Sequence, residues 1–193
     1  MVLTALTPLV KADILSFSIG NTTPPFTNGS HPTAGAVLLA QAGSPLPFLG
    51  TCGADLLSNC SANWTFNYSV PSGQTVSAAT LTLGIADIDS AAAGNQVASY
   101  TLGATSLTTA LNTVAEGLNG GTGATNSEYD ILTVTIPSTA FATLQTGSAT
   151  VSLALQAPGL GVLGATTFNG AGLLFSTLDI PAREFWQEAL EIQ

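Results

Sequence analysis

Thr75–Asp89 reads TVSAATLTLGIADID, and this stretch decides the fold class predicted for the chain. Apolar residues alternate with small or polar ones from Leu81 to Ile85, which is the two-residue period of a half-buried β-strand. The same parity continues into Asp87 and Asp89, so the strand ends by directing two carboxylates to the side that its apolar residues occupy. A core strand and a candidate site therefore meet at one point of the chain.

Segments of similar length and character recur along the rest of the sequence. The clearest is Asn63–Val70, NWTFNYSV, in which aromatic residues occupy alternate positions, and Pro71–Gln74 then forms a turn into the opening stretch. About seven to nine strands with almost no helix predict an all-β fold, an antiparallel β-sandwich of the jelly-roll type, with a barrel as the alternative. The other predicted strands are Asp13–Gly20, Gly35–Gln41, Gln96–Leu102, Ser106–Leu111, Tyr129–Ile136, Ala149–Leu155 and Phe168–Ile180.

The composition indicates one acidic domain with few charged side chains. The chain has 193 residues, of which 7% are charged, and a net charge of −9 with a pI near 4.1. Nucleic acid is excluded as a partner because its phosphates require a basic surface, whereas this negative field attracts cations. The mean hydropathy is +0.44, but no run of about 18 apolar residues occurs, so no stable membrane insertion is expected.

Both ends of the chain differ from the predicted β-domain, which covers residues 13–180. Val2–Val10 is a short apolar run followed by Lys11 and Ala12. Residues 1–12 are interpreted as the remnant of a secretory signal cleaved after Ala12, with an N-terminal strand as the alternative. Pro181–Gln193 is acidic and has apolar residues at helical spacing, which predicts a short C-terminal helix or a tail foreign to the domain.

Cys52 and Cys60 are the only cysteines, and they flank a loop rich in Gly, Ser and Asn. A metal site would need more Cys or His nearby, and His31 is the sole histidine, so a disulfide is predicted. On the chain-entropy view such a bond stabilises the fold by about 2–3 kcal/mol. Glycosylation sequons cluster in the first third of the chain and would matter in a eukaryotic secretory pathway: Asn21, Asn28, Asn59, Asn63 and Asn67.

The carboxylates at the end of the opening stretch form the candidate metal site. If the alternation of Leu81, Leu83 and Ile85 continues, Asp87 lies at the rim of the sandwich, where burying an unpaired charge costs several kcal/mol. Lys11 and Arg183 are the only basic residues, so a protein counter-charge is scarce, and Ca²⁺ could supply one because it accepts carboxylate and amide oxygens. The alternative is that both aspartates are solvated and begin a turn. The predicted ligands are Asp87, Asp89, Asn95, Gln96 and Asp130, with Glu128 as a further candidate.

Catalytic patterns are weak in this sequence. Asp87 with Glu128 or Asp130 could form the carboxylate pair of a glycosidase, but nothing in the spacing selects such a pair. A Ser-His-Asp triad would have to use His31, and no G-x-S-x-G motif occurs. No catalytic residue is therefore predicted, and the protein is expected not to be an enzyme.

Aromatic residues raise the alternative of a carbohydrate-binding module. Trp64, Phe66 and Tyr68 share one strand face, which suits a core strand better than a platform for stacking sugars. Tyr100 and Tyr129 are the better candidates for exposed stacking residues.

Three segments in order carry a family resemblance: NWTFNYSV, then SGQTVSAATLTLGIADIDS, then EYDILTVTIPSTAFATLQTGSATVSLALQAP. Over about Asp13–Ile180 the chain resembles the β-sandwich domains of exosortase-sorted (PEP-CTERM) extracellular bacterial proteins. Such proteins end in a Pro-Glu-Pro signal, a transmembrane helix and a basic tail, whereas Ala182–Gln193 is acidic here. The resemblance implies an exported, non-enzymatic protein of the cell surface or extracellular matrix.

The sequence thus predicts a secreted, acidic, non-catalytic β-sandwich that calcium stabilises. Its expected partners are an extracellular polysaccharide or further copies of itself. A carbohydrate-binding module is one alternative function, and a filament subunit that assembles by strand complementation is another.

Overall fold

The computed structural model of the protein describes residues 13–54, 57–86, 95–118, 128–157 and 168–184. The predictions made for residues 1–12, for Asp87 and Asp89, and for residues 185–193 lie outside these ranges. The described strands are β1 (Asp13–Gly20), β2 (Thr51–Cys52), β3 (Ser61–Asn67), β4 (Gln74–Val76), β5 (Thr80–Ala86), β6 (Val97–Leu102), β7 (Thr105–Ser106), β8 (Tyr129–Thr135), β9 (Ser148–Leu155) and β10 (Ala171–Glu184). The described helices are α1 (Ala34–Ala40), α2 (Thr108–Glu116) and α3 (Phe141–Leu144), the last preceded by a 3₁₀ turn over Ser138–Ala140.

The strands form two antiparallel sheets that pack face to face. One sheet has the order β1-β10-β5-β8, with the short β2 and β4 also paired to β10, and the other has the order β3-β9-β6-β7. When β2 and β4 are set aside, the first, eighth, third and sixth remaining strands form one sheet and the second, seventh, fourth and fifth form the other. This is the strand order of a jelly roll, and the predicted all-β sandwich is confirmed.

Alternating burial explains why these segments pair as they do. Along β3 every second residue is buried, including Trp64 and Phe66, and the residues between them are exposed. In β5 the fully buried Leu81, Leu83 and Ile85 face the other sheet. Each buried side chain of this size contributes about 1.5–3 kcal/mol of transfer free energy. The core between the sheets is therefore supplied by the alternation that the sequence displays.

The segment predicted as a second strand, Gly35–Gln41, is instead the helix α1. Its apolar run has no two-residue period, and Ala and Leu are strong helix formers. Thr33 caps the helix, since its hydroxyl oxygen accepts a hydrogen bond from the Ala36 N–H at 3.3 Å. The strand prediction was wrong because an aperiodic apolar run does not distinguish a strand from a helix.

The strand predicted over Ser106–Leu111 is also wrong for most of its length. Strand β7 ends at Ser106, and α2 begins at Thr108. Leu107, Leu111 and Ala115 are buried at four-residue intervals, which places them on one helix face against the core. The helical period was hidden because the alternating residues before it resemble a continuing strand.

The final strand extends further than the predicted domain. In β10, Ala182 pairs with Val76 and Glu184 pairs with Gln74, so the strand continues through Glu184. The helix predicted from Pro181 therefore does not begin there.

Helix α1 covers one end of the outer face of the six-stranded sheet. A small second core forms beneath it from Val37, Ala86, Tyr129, Leu174 and Phe175. The ring of Phe175 lies directly over Gly84, where a Cβ atom would overlap it. The rest of this outer face is left uncovered by α1.

Candidate functional site

The site is built on a row of three side chains across the six-stranded sheet. Leu173 of β10 pairs with Ile85 of β5, and Ile85 pairs with Asp130 of β8. Leu173 and Ile85 belong to the core between the sheets, and Asp130 shares its parity with the buried Leu132 and Val134. Asp130 thus occupies a core position at the end of its strand.

Asp130 is fully buried, with 0% of its surface exposed. Neither of its carboxylate oxygens accepts a hydrogen bond from the residues that the structure describes. The pKa of this carboxyl is raised to about 6: burial is the main cause, repulsion by Glu128 adds to it, and the charge of His31 opposes it. The negative charge of Asp130 is therefore poorly compensated by the described protein.

Gln96 lies at the corresponding end of the other sheet. It directly precedes β6, where Val97 pairs with Leu155, and its carbonyl accepts a hydrogen bond from the Gln156 N–H at 2.8 Å. Asn112 of α2 holds this strand start, because its amide bonds both the N–H and the carbonyl of Val97. The Gln96 side chain is 1% exposed, and its amide makes no hydrogen bond to a described residue.

Asn169 precedes β10 and is fully buried as well. Its backbone is anchored to the other sheet, since its N–H donates to Asn59 Oδ1 at 2.8 Å and its carbonyl accepts from the Cys60 N–H at 2.7 Å. The amide of its side chain has no hydrogen-bond partner in the described part of the chain. Sequence reasoning missed Asn169. The available signal was its parity with Ala171 and Leu173, which makes it a polar residue in line with core positions.

A disulfide joins the two sheets at this same end. Cys52 lies in β2 and pairs with Ala171 of β10, whereas Cys60 precedes β3 and accepts a hydrogen bond from the Leu155 N–H at 2.9 Å. The bond between Cys52 and Cys60 confirms the predicted disulfide. It links β2, which pairs with the start of β10 close to Asn169, to the residue that precedes β3.

We call Gln96, Asp130 and Asn169 the polar end cluster. The strand ends that carry them lie at one end of the sandwich. In one sheet, β5 ends at Ala86 where β8 begins at Tyr129 and β10 begins at Ala171, and in the other sheet β6 begins at Val97 where β9 ends at Leu155. The disulfide connects these two sets of strand ends. Buried polar groups in folded proteins are normally hydrogen-bonded, so three such side chains at one end require an explanation.

The other predicted ligands have different surroundings. Asn95 is exposed, its carbonyl accepts a hydrogen bond from Gln156 Nε2 at 2.7 Å, and it lines a groove of about 590 Å³ beside α2. Glu128 is buried and lies next to Gly29. Gly29 belongs to a loop that forms a β-bridge with Tyr129 through Ser30 and that also carries the exposed His31. Asp87 and Asp89 lie outside the described residues, so their role as ligands stays a prediction.

A metal centre at this end would depend on amide oxygens as well as on carboxylates. Among the described residues, no group of three or more His, Cys, Asp or Glu side chains is close enough to hold a metal ion. Gln96 and Asn169 carry amide oxygens, which are neutral donors of the kind that calcium accepts.

Trp64, Tyr100 and Tyr129 are buried and so are not available for stacking against a sugar. Tyr100 and Tyr129, predicted as exposed candidates, are both fully buried, so that expectation was wrong. Tyr100 belongs to the core of β6, and Tyr129 packs under α1 against Phe26, with ring centroids 5.7 Å apart. Trp64 is buried too, and its ring meets that of Phe48 edge to face at 5.3 Å.

Comparison with known proteins does not assign the chain to a family. In the described part of the chain, no helix is long and apolar enough to cross a membrane. No protein-family model matches the sequence, and no curated protein matches it.

Proposed function

We propose that this chain is a non-catalytic, exported β-sandwich of the cell surface or extracellular matrix, stabilised by calcium, which contacts neutral polysaccharide through one outer face. The observation that carries this proposal is a regular array of hydroxyl groups on the six-stranded sheet. We call this array the hydroxyl face, and its members are Ser16, Ser18, Thr80, Thr82, Thr133, Thr135 and Thr177, with Asp179.

The hydroxyl face has two rows that run across four strands. One row follows the pairs from Ser18 through Thr177 and Thr82 to Thr133. In it the Ser18 and Thr177 hydroxyls are 2.8 Å apart, and the Thr82 and Thr133 hydroxyls are 2.9 Å apart. The second row, two residues along each strand, contains Asp179. Neighbouring hydroxyls therefore recur about every 5 Å across the sheet and about every 7 Å along it.

This surface favours a neutral, hydrogen-bonding partner. Its hydroxyls can donate and accept hydrogen bonds, and its one charged group, the carboxylate of Asp179, would repel an anionic ligand. Protein interfaces are usually anchored by aromatic residues and arginine, which the hydroxyl face lacks. The net charge of −9 repels acidic polymers, so a neutral polysaccharide is the partner that this chemistry fits.

Two further observations support an extracellular role. The Cys52–Cys60 disulfide is a bond typical of exported proteins, because the cytosol keeps thiols reduced. The resemblance to exosortase-sorted extracellular proteins points the same way. The filament alternative stays a prediction, and the aromatic form of the carbohydrate-binding alternative loses support from the burial of its tyrosines.

Co-sedimentation with insoluble polysaccharide tests the proposal. The probes are microcrystalline cellulose and an insoluble α-glucan, with alginate as the anionic comparison. In the variant Thr82→Val/Thr133→Val the shape of the face is kept but two hydroxyls are removed. At roughly 1 kcal/mol for each lost hydrogen bond, we expect affinity for a bound neutral polymer to fall about tenfold or more.

The other sheet provides a matched control. Thr65 and Thr150 form an exposed cross-strand pair with hydroxyls 3.0 Å apart, so Thr65→Val/Thr150→Val makes the same chemical change elsewhere. Equal loss in both double variants, or no retention of the wild type on either neutral polymer, contradicts the polysaccharide role. Hydrolysis of either polymer by the purified protein, abolished by Asp130→Asn, contradicts the non-catalytic role.

A further inference from the structure

We propose that the unpaired edge of β1 is a self-association surface, at which β1 pairs antiparallel with β1 of a second copy of the chain. The six-stranded sheets of the two copies then form one continuous sheet around a two-fold axis. The pairing goes beyond the proposed function, because it uses only the backbone and the apolar residues of β1 and needs no polysaccharide. A closed two-fold pair also differs from a filament, which requires an open-ended contact.

The edge of β1 presents a row of backbone groups without partners. β1 ends the strand order of its sheet, and among the described residues it pairs with β10 alone. The Asn21 N–H donates to the Leu174 carbonyl at 2.8 Å and continues the register of this ladder, so odd-numbered residues direct their backbone groups toward β10. The N–H and carbonyl groups of Ile14, Ser16 and Ser18 therefore point away from the sheet, where no described residue bonds them.

At the opposite ends of both sheets, the fold covers its strand edges. On β8, the loop over residues 28–30 bonds the backbone of Tyr129 and the N–H of Ile131. On β6, Asn112 of α2 bonds both backbone groups of Val97, and β7 adds only two residues beyond that strand. An unpaired edge is a template for pairing with another chain, and along β1 no described segment provides a cover.

β1 also lacks the features that keep edge strands apart. Proteins protect exposed edges with charged side chains, prolines or bulges, and Ile14–Gly20 contains none of these. Its outward side chains are uncharged, and that of Ile14 is 67% exposed. β3 is a second long edge, but it carries Asn63 and Asn67, whose amides can compete for backbone hydrogen bonds. β1 is therefore the better surface for pairing.

A second copy is the partner that fits this edge. Leu15, Phe17 and Ile19 lie on the core side of β1 and are only partly buried, so an apolar stripe borders the edge. A partner strand must place apolar side chains on that side and uncharged ones on the other, and it must direct free backbone groups toward β1. β1 of a second copy meets all of these requirements, and the two-fold axis keeps the core sides of both copies together.

The register follows from the same pattern. The free backbone groups lie on even-numbered residues in both copies, so even-numbered residues must face one another. One such register overlaps all of Ile14–Gly20 and leaves out Asp13, the only charged residue of β1. Phe17 then faces its own counterpart at the axis, and each apolar stripe covers the other. The remaining pairs are Ile14 with Gly20, Leu15 with Ile19, and Ser16 with Ser18.

This pairing joins the hydroxyl faces of the two copies. Because Ser18 of one copy faces Ser16 of the other, the row that ends at Ser18 continues into the row that contains Asp179. Four strands from each copy then lie side by side and span about 35 Å from the first to the last. A neutral polysaccharide that crosses the axis would contact both copies.

Sedimentation equilibrium of the full chain, without polysaccharide and in EDTA, tests the inference at micromolar to millimolar protein concentrations. We expect a monomer–dimer equilibrium. Ser16→Pro removes an N–H that points outward, so it keeps the ladder with β10 but takes two hydrogen bonds from each dimer. Its Kd should be about tenfold higher or more. Circular dichroism of the same samples checks that the variant is folded.

Asn63→Pro is the matched control, because it makes the same change at the free edge of β3. The Leu155 N–H donates to the Cys60 carbonyl in the register of β3 and β9, so the N–H of Asn63 also points outward. This variant should keep the wild-type Kd.

Cysteine cross-linking tests the register. In the proposed pair, residues 16 and 18 face each other with Cα atoms about 5.5 Å apart, which is within the range of a disulfide. When Ser16→Cys and Ser18→Cys are mixed under mild oxidation, a disulfide between the two variants should exceed either homodimer, because identical positions are offset by two residues. Mass spectrometry of non-reduced peptides measures the three products.

A wild type that stays monomeric overturns the inference, because a second copy is then not the occupant of this edge. A Ser16→Pro dimer as tight as the wild type, or equal weakening in Asn63→Pro, overturns it as well. Homodimer disulfides as abundant as the mixed one overturn the register. Loss of polysaccharide retention with an intact dimer contradicts the proposed function alone, so the two proposals fail separately.

Discussion

Replacing Asp130 with asparagine should stabilise the calcium-free protein at pH 7, although the same change removes a predicted calcium ligand. The pKa of Asp130 is raised from 3.8 to about 6, mainly because the carboxyl is buried. One unit of pKa difference corresponds to about 1.4 kcal/mol. Keeping Asp130 ionised in the folded chain at pH 7 therefore costs about 3 kcal/mol relative to the unfolded chain, and Asp130→Asn should recover much of that free energy.

The sign of the pH dependence follows from proton binding. Between pH 3.8 and about 6 the folded chain holds a proton on Asp130 that the unfolded chain has lost, so this group makes the free energy of unfolding fall as the pH rises. Below pH 3.8 the carboxyl is protonated in both states and the penalty is absent. Above about pH 6 the penalty is fully present. The advantage of Asp130→Asn should thus be small at pH 3.5 and largest at pH 7.

Urea unfolding in EDTA at several pH values between 3.5 and 7.5 measures this difference. Asp179→Asn is the matched control, because it removes one negative charge from a partly exposed position on the outer face. A variant that is less stable than the wild type at pH 7, or a gain of equal size at pH 3.5 and pH 7, would refute the reasoning. An equal gain in Asp179→Asn would assign the effect to net charge rather than to burial.

Three further predictions concern the frame around the site. Changing both Cys52 and Cys60 to serine should lower the free energy of unfolding by about 2–3 kcal/mol, which urea titration of oxidised and variant protein will show; an unaltered midpoint would contradict a stabilising role for the disulfide. Gly84→Ala should cost about 1–3 kcal/mol because its Cβ would overlap the ring of Phe175, and a neutral result in thermal melts would mean that the ring moves freely. Gly35→Ala should instead stabilise α1 by about 0.5–1 kcal/mol, since no atom lies within 4 Å of the added Cβ, and a lowered midpoint would refute this.

Part of the site was predictable from the sequence. Gln96 and Asp130 were expected as calcium ligands, because they are oxygen donors near the ends of predicted strands. Their burial and their lack of hydrogen bonds depend on which strands become neighbours, which local patterns do not reveal. Asn169 was missed for that reason, and Asn95 was included although it is exposed.

The fold class was determined by the sequence alone, because alternation of apolar and polar residues is a local property that a strand reproduces directly. The strands β3, β5 and β8 lie where that period predicts them. Helix α1 was not predictable in this way, since its aperiodic run is compatible with either element.

Tertiary structure decided how the opening stretch relates to the rest of the chain. Ile85 pairs with both Leu173 and Asp130, which are far from it in sequence, and this pairing places a carboxylate in line with core leucines. The sequence by itself determined that strands would form and that few cations would be available to neutralise their carboxylates. Only the long-range pairing of the sheets decided that Asp130 would be buried at the same end as Gln96 and Asn169, because burial depends on contacts that no single segment can make.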